Sequence, residues 1–211
     1  MILGLESICP IIISQQYVCV SLESQLKCGI YAAPFNFPAM IALWMYPLAI
    51  ATGNTYVLKP TEKAPSASLL LTKYLHDLGL PPGVVNVVNG SKRTVDGILT
   101  HPDISAVSFV GSNKAGEHIH DVGTRHGKRV QANLGAKNHA TVMMDDADRA
   151  STIRAIVGAA FGAAGQRCMA LSVVVFVGDL ERSQSWAREI VEQAEKLKVG
   201  NGFVEGVDVG E

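Results

Sequence analysis

A cysteine in a run of small residues is the feature of this sequence that most strongly suggests covalent chemistry. Cys168 ends the stretch Gly162-Ala-Ala-Gly-Gln-Arg-Cys168, and the positive charge of Arg167 favours the thiolate form, which is the nucleophile. The alternative is a buried structural cysteine, which is the commoner environment of a lone cysteine. The remaining cysteines have no such surroundings and are interpreted as structural: Cys9, Cys19 and Cys28.

A second candidate is an asparagine that lies between aromatic residues and prolines. Asn36 is the centre of Pro34-Phe-Asn-Phe-Pro38, at the end of a predicted strand. Its side-chain NH₂ could donate a hydrogen bond to an oxyanion that develops when a nucleophile attacks a carbonyl. The alternative is that Asn36 caps the helix predicted to follow.

A glycine-containing turn could bind a phosphate. Val110-Gly-Ser-Asn-Lys-Ala-Gly116 follows a predicted strand and begins a predicted helix, where backbone N–H groups and the helix dipole attract an anion. The segment matches neither a Walker loop nor the six-residue dinucleotide fingerprint. A glycine-rich turn without a ligand is therefore the alternative.

Two charged residues follow the second predicted strand. Lys59 and Glu62 lie in Leu58-Lys-Pro-Thr-Glu62, and ligands of open parallel sheets bind beyond the carboxyl ends of the strands. Both side chains could reach ribose hydroxyls from there. The alternative is a solvated loop with an exposed ion pair.

The elements that must position these residues alternate regularly along the chain. Apolar, β-branched runs predict strands at 28–33, 55–58, 84–88, 106–110 and 128–133. Amphipathic or apolar stretches between them predict helices at 38–51, 65–78, 94–99 and 113–125. This βαβα order predicts an α/β fold with an open parallel sheet that is covered by helices on both faces.

The pattern changes near Leu134 and Gly135, where we place a domain boundary. Strands are predicted at 140–144 and 173–177, and helices from caps at 145–148 to about 161 and over 182–197.

Composition argues against several classes of function. The chain has 211 residues and a net charge of −1, which favours neither a nucleic-acid nor a membrane-surface partner. The apolar stretch 39–52 is too short to span a bilayer. The sequence contains no Cys-x-x-Cys pair, so a zinc site built on cysteines is not expected. Four cysteines in a chain of this length favour a reducing compartment. His118 and His120 are two residues apart on a predicted helix and so face different sides, which disfavours a metal-dependent hydrolase.

Four segments, taken together, resemble the aldehyde dehydrogenase superfamily, and within it the CoA-acylating branch that oxidises malonate and methylmalonate semialdehyde. The resemblance covers roughly Lys27 to the C-terminus. The segments are 34–40, 109–116, 133–139 and 161–171. The resemblance implies a Rossmann-like NAD-binding domain at 27–134 and part of a second α/β catalytic domain at 135–211. Residues 1–26 are unmatched.

The resemblance also implies catalytic roles. Cys168 attacks the aldehyde carbonyl, and the Asn36 side chain and the Cys168 backbone N–H hold the oxyanion. Hydride then passes to NAD and leaves a thioester on Cys168. Lys59 and Glu62 would contact the adenosine ribose, Ser112 the pyrophosphate and Leu134 the nicotinamide. The full set implied at the NAD site is Phe35, Lys59, Glu62, Gly111, Ser112 and Leu134.

One departure from the general family predicts the acyl acceptor. Hydrolytic members carry Glu-Leu-Gly-Gly where this chain has Asn133-Leu-Gly-Ala136, and an asparagine cannot activate water as a base. The thiol of CoA needs less activation, so the expected products are propionyl-CoA or acetyl-CoA. The semialdehyde carries a carboxylate, for which Arg167 is the candidate partner. The alternative is that Arg167 faces away and packs structurally.

The chain lacks the family's later Glu-x-Phe-Gly-Pro motif and much of its oligomerisation region. We therefore expect a partial form with low activity, although the intact family enzymes are homo-oligomers. The competing interpretation is a non-catalytic nucleotide-binding or interaction module. The resemblance implies valine catabolism, in mitochondria of a eukaryote or in the cytoplasm of a bacterium.

Overall fold

A computed structural model describes residues 29–32 and 34–210. Its helices are α1 (Met40–Ala51), α2 (Ser66–Asp77), α3 (Lys92–Thr100), α4 (Asn113–Arg125), α5 (Arg149–Phe161) and α6 (Leu180–Ala194). Its strands are β1 (Gly29–Ala32), β2 (Tyr56–Lys59), β3 (Val85–Val87), β4 (Ala106–Val110), β5 (Arg129–Asn133), β6 (Asn138–Met143), β7 (Leu171–Val177), β8 (Val199–Gly200) and β9 (Val209–Gly210). The chain divides into two compact units between Leu134 and Gly135.

The first unit is built on a parallel five-stranded sheet in the order β3-β2-β1-β4-β5. After β3 the chain crosses to the other side of β1, so the strand order reverses between β1 and β4. Ligands of open α/β sheets bind at this point, beyond the carboxyl ends of the strands. The register pairs Ala32 with both Lys59 and Phe109, and Val110 with Asn133. The connections that follow these strands therefore start at one edge of the sheet.

Helices cover both faces of this sheet, as the sequence predicts. Tyr56 and Leu58 pack with Ile41 and Met45 of α1, whereas Val57 packs in a second cluster with Ile119 of α4. Successive residues of a strand point to opposite faces, so β2 separates two apolar layers. The predicted open parallel α/β fold is confirmed.

The second unit pairs β6 and β7 in parallel, with a separate small pair formed by β8 and β9. Its core clusters around the buried Trp186 of α6, with Val142, Met144, Ile153 and Ile156. No helix in the stretches 29–32 and 34–210 is long and apolar enough to cross a membrane.

Aspartates cap both helices of this unit. The Asp148 carboxylate accepts from the Ser151 N–H at 2.8 Å. Hydrogen bonding by the Ser151 side chain, and then by its N–H, holds the pKa of Asp148 below its usual range. Asp179 accepts likewise from the Arg182 N–H at 2.8 Å. The sequence placed the start of the last helix at Arg182, and α6 starts two residues earlier because Asp179 supplies the cap.

Replacing Asp179 with alanine is expected to lower the free energy of unfolding of the second unit by about 1 kcal/mol, because the first turn of α6 loses its capping acceptor. Chemical denaturation followed by Trp186 fluorescence in a Trp44→Phe background measures this change. Asp179→Asn retains a capping oxygen and is the matched control. Equal losses in the two variants would contradict the capping role.

Candidate active site

The segment that leads to Cys168 has an uncommon backbone. After α5, a single 3₁₀ turn spans Gly162–Gly165, and Ala163, Ala164 and Gly165 have φ values of 52°, 55° and 67°. The left-handed region costs an L-residue about 1–2 kcal/mol, which only glycine avoids. Such strain is typical of functional segments that the surrounding structure holds in place.

Cys168 lies in a tight turn, residues 167–170, which we call the nucleophile turn. The Ala170 N–H donates to the Arg167 carbonyl at 3.0 Å and closes the turn. The Cys168 thiol is free and exposed, so the interpretation of a buried structural cysteine is wrong. The Cys168 N–H has no acceptor within residues 29–32 and 34–210. The turn thus presents a thiol and a spare backbone donor on the same residue.

Arg167 is anchored to the end of α5. Its Nη2 donates to the carbonyl oxygens of Gly158 and Ala159 at 2.7 and 3.0 Å. A Cβ atom on Gly162 would come within 2.8 Å of Nη2, so the glycine makes room for the guanidinium. A cation at a helix C-terminus is favourable, and this arrangement matches the packing role given as the alternative. Nη1 makes no hydrogen bond within the described part of the chain.

Asn138 is the residue of this site that sequence reasoning missed. Its Nδ2 donates to the carbonyl oxygens of Cys168 and Ala170, at 2.8 and 3.0 Å. The side chain therefore ties the nucleophile turn to the start of β6. The one sequence signal that could have drawn attention to Asn138 is its place in the 133–139 segment, which resembles the family.

Asn36 occupies a bend after β1 and is partly buried. The N-cap residue of α1 is Ala39, so the interpretation of Asn36 as a helix cap is wrong. Beside it, the exposed Phe35 ring lies 5.0 Å from the Lys63 ammonium, which links the connections after β1 and β2. Asn36 belongs to the first unit and Cys168 to the second, and their meeting at one carbonyl stays a prediction.

Lys59 is buried rather than solvated. Its Nζ donates to the carbonyls of Pro60 at 2.7 Å and Gly90 at 2.9 Å, which ties the end of β2 to the connection after β3. Burial lowers the pKa of Lys59, and the nearby charge of Glu62 opposes this shift. An exposed ion pair is therefore the wrong interpretation of Lys59, although Glu62 itself is exposed.

The start of α4 brings three predicted NAD-site residues together. Ser112 is the N-cap, and its Oγ accepts from the Ala115 N–H at 3.4 Å. The Gly111 N–H donates to the Asn133 carbonyl at 3.1 Å, which joins the ends of β4 and β5. A Cβ atom on Gly116 would come within 1.9 Å of the Leu134 side chain, so Leu134 packs against the first turn of α4. A helix N-terminus favours an anion, and that of α4 follows the carboxyl end of β4.

The histidines take structural positions. His118 Nε2 lies 2.6 Å from the Asp96 carboxylate, which joins α4 to α3, and His120 is exposed. The part of the chain that the structure describes contains no group of three or more His, Cys, Asp or Glu that could hold a metal ion.

Comparison with known proteins identifies the family of this chain. A protein-family model described as "Aldehyde dehydrogenase family" matches residues 27–211 of this chain. The human methylmalonate-semialdehyde/malonate-semialdehyde dehydrogenase [acylating], mitochondrial, is 55% identical over 188 residues, which are 88% of this chain and 34% of that protein. The chain thus spans about a third of the length of the curated relatives it matches.

Solved structures give the same result. Methylmalonate-semialdehyde dehydrogenase from Oceanimonas doudoroffii has a TM-score of 0.81 and 48% identity, over 87% of this chain and 37% of that one. A mutant aldehyde dehydrogenase C from Pseudomonas syringae, complexed with NAD⁺ and octanal, has a TM-score of 0.81 and 34% identity, over 87% and 37%. Because the match covers the whole described length, this chain belongs to the aldehyde dehydrogenase family.

Proposed function

We propose that this chain carries the nucleophile and part of the NAD site of a CoA-acylating dehydrogenase that converts malonate or methylmalonate semialdehyde to acetyl-CoA or propionyl-CoA. The observation that supports it most is the exposed Cys168 thiol on a pinned turn with a spare backbone donor. Relatives that carry the name of this activity are more than half identical to the chain. In a eukaryote we propose a mitochondrial location, because those relatives are named mitochondrial.

The chemistry starts at the sulfur of Cys168. The thiolate forms a bond to the aldehyde carbon, and the carbonyl electron pair moves to oxygen, where the Cys168 N–H and the Asn36 carboxamide donate hydrogen bonds. When the carbonyl re-forms, hydride leaves the carbon and a thioester remains on Cys168. The CoA thiolate then attacks this thioester, and the Cys168 thiolate is the leaving group. On the way to acetyl-CoA and propionyl-CoA, the bond from the α-carbon to the carboxylate breaks, CO₂ leaves, and a proton from water takes its place on that carbon.

NAD, when bound at the carboxyl edge of the sheet, supplies the hydride acceptor. The residues fit it. Ser112 and Gly111 offer the start of α4 to a pyrophosphate, and the packing of Leu134 on that turn gives an apolar wall for a nicotinamide. Lys59 has used two of its three ammonium hydrogens on carbonyls, so the third is held in a fixed direction for a ribose hydroxyl. Glu62 and Phe35 complete the proposed contacts.

Arg167 remains our candidate for the substrate carboxylate through Nη1. With Nη2 fixed at the end of α5, the guanidinium is held one residue from the nucleophile. The test replaces the residue that aligns with Arg167 in the human relative by methionine. If the KM for the semialdehyde did not change, the carboxylate role would be wrong.

The polypeptide of 211 residues is expected to turn over far more slowly than the human relative, because its nucleophile turn is open to water and productive geometry needs a dry, fixed site. Mixing the chain with NAD and malonate semialdehyde tests the proposal. We expect NADH absorbance and a mass increase on Cys168, and release of acetyl-CoA once CoA is added. NAD binding without any acyl adduct would favour the non-catalytic nucleotide-binding module instead.

Replacing Lys59 with methionine is expected to raise the Kd for NAD by about 10- to 100-fold, since a hydrogen bond from a charged donor contributes about 1.5–3 kcal/mol. Calorimetric titration measures the change. Lys73→Met removes an exposed lysine that pairs with Asp77 on α2, and it should leave the Kd unaltered. A similar Kd for the Lys59 variant and the unmodified chain would contradict the ribose contact.

A further inference from the structure

We propose that Asn138 is a positioning residue for the nucleophile turn: by binding the Cys168 and Ala170 carbonyls, it holds in place the turn that carries the Cys168 thiol and the backbone N–H for the oxyanion. The inference rests on the nucleophilic role of Cys168 proposed above. Asn138 has no part in that chemistry itself, and its carboxamide contacts only the backbone of the turn in the hydrogen bonds described.

Both hydrogens of one amide nitrogen are used. Asn138 Nδ2 reaches the carbonyls of Cys168 and Ala170 at 2.8 and 3.0 Å, from 30 and 32 residues away in the sequence. Because both partners are carbonyl oxygens, only the NH₂ side of the carboxamide can serve them. An aspartate has the same shape but no donor, and a serine has one donor only.

The start of β6 is shaped for this contact. Asn138 pairs with Leu171, whereas His139 pairs with Val173, so Ser172 has no partner in the ladder. This register shift is a β-bulge or a similar irregularity of the ladder, and such features often re-aim a side chain next to a functional site. The bulge lies directly after Ala170, where the nucleophile turn joins β7.

Peptide geometry converts these bonds into a direction for the donors. In a trans peptide the C=O and the next N–H point in opposite directions. The Arg167 carbonyl accepts from the Ala170 N–H, so the Cys168 N–H points out of the turn. The Cys168 carbonyl accepts from Asn138, so the Met169 N–H is aimed outward as well. Without Asn138, no hydrogen bond among residues 29–32 and 34–210 holds the second of these peptide planes, and the turn that carries the Cys168 N–H loses its attachment to β6.

Two anchors thus hold the turn on its two sides. Upstream, Arg167 binds the carbonyls at the end of α5, and downstream, Asn138 binds the turn to β6. The left-handed residues Ala163 and Ala164 lie just before the first anchor. Since strained backbone relaxes unless its surroundings restrain it, loss of the downstream anchor should free the turn.

Two reagents applied to the full chain distinguish an effect of Asn138 on the oxyanion donor from an effect on the accessibility of the Cys168 thiol. p-Nitrophenyl acetate acylates the Cys168 sulfur through a tetrahedral oxyanion; the S–C bond forms, the ester C–O bond breaks and p-nitrophenolate leaves. Iodoacetamide alkylates the same sulfur with loss of iodide and develops no oxyanion. Mass spectrometry of the Cys168 peptide gives both rates, and Cys168→Ser gives the background.

For Asn138→Ala we expect the acylation rate to fall by about 10- to 100-fold while alkylation changes by less than about threefold, because only acylation needs the aimed donor. Asn138→Asp should match Asn138→Ala, since shape without a donor does not suffice. His139→Ala, on the neighbouring exposed residue, should leave both rates unchanged.

An unaltered ratio of acylation to alkylation in both Asn138 variants would overturn the positioning role and leave the role of Cys168 standing. Partial unfolding would change both rates together and keep the ratio constant, which also counts against positioning. Absence of any Cys168 acylation in the unmodified chain would overturn the proposed function and the inference with it.

Discussion

Replacing Cys168 with serine is expected to lower the rate of acyl-enzyme formation from malonate semialdehyde by about 10³-fold or more, since loss of a nucleophile removes the covalent route entirely. A hydroxyl is a far weaker nucleophile than a thiolate unless a base activates it. Mass spectrometry of the acylated chain, in the presence of NAD and without CoA, measures the rate.

The matched control removes the other three cysteines together. A chain in which Cys9, Cys19 and Cys28 are all serine should form the same adduct at the same rate as the unmodified chain. If the adduct moved to one of these cysteines, or survived in Cys168→Ser, the assignment of the nucleophile would be wrong.

Under the proposed function, replacing Asn133 with glutamate is expected to speed hydrolysis of the acyl-enzyme by about 10²-fold or more, because the new carboxylate would act as general base toward water. Hydrolytic members of the family carry glutamate there. Asn133 is partly buried at the end of β5, and its backbone carbonyl is bonded to Gly111.

The decay of the Cys168 thioester without CoA is the measurement, and Asn133→Gln is the matched control because it adds length without basicity. We expect the unmodified chain and the glutamine variant to retain the thioester. Fast hydrolysis in the unmodified chain would contradict CoA as the preferred acceptor, whatever the glutamate variant does.

Patterns within a few residues predicted the elements well. The strand at 106–110 is an apolar run that coincides with β4, and the helix at 113–125 coincides with α4. The start of α6 was misplaced by two residues because a cap outside the amphipathic repeat, Asp179, sets it. Local periodicity carries the fold because burial and hydrogen bonding repeat at short intervals along the chain.

The contacts that define the site were beyond such patterns. Asn138 acts on carbonyls 30 and 32 residues downstream, and Lys59 binds the carbonyl of Gly90 31 residues later. All of these partners are backbone carbonyls, so residue types alone do not reveal the pairing. Arg167 shows the same limit, because its position beside Cys168 suggested a ligand contact whereas its Nη2 is occupied by helix carbonyls.

The order of the five-stranded sheet has a consequence for its cohesion. Among the described strands, β1 is the one hydrogen-bonded to both β2 and β4, so it joins the β3–β2 half to the β4–β5 half. Lys59, which we propose contacts the adenosine ribose, ends a strand of one half, and Ser112, which we propose contacts the pyrophosphate, follows a strand of the other half. If those contacts exist, a substitution that weakens the pairing of Gly29–Ala32 would separate the two halves of the proposed dinucleotide site without removing the residues of either half.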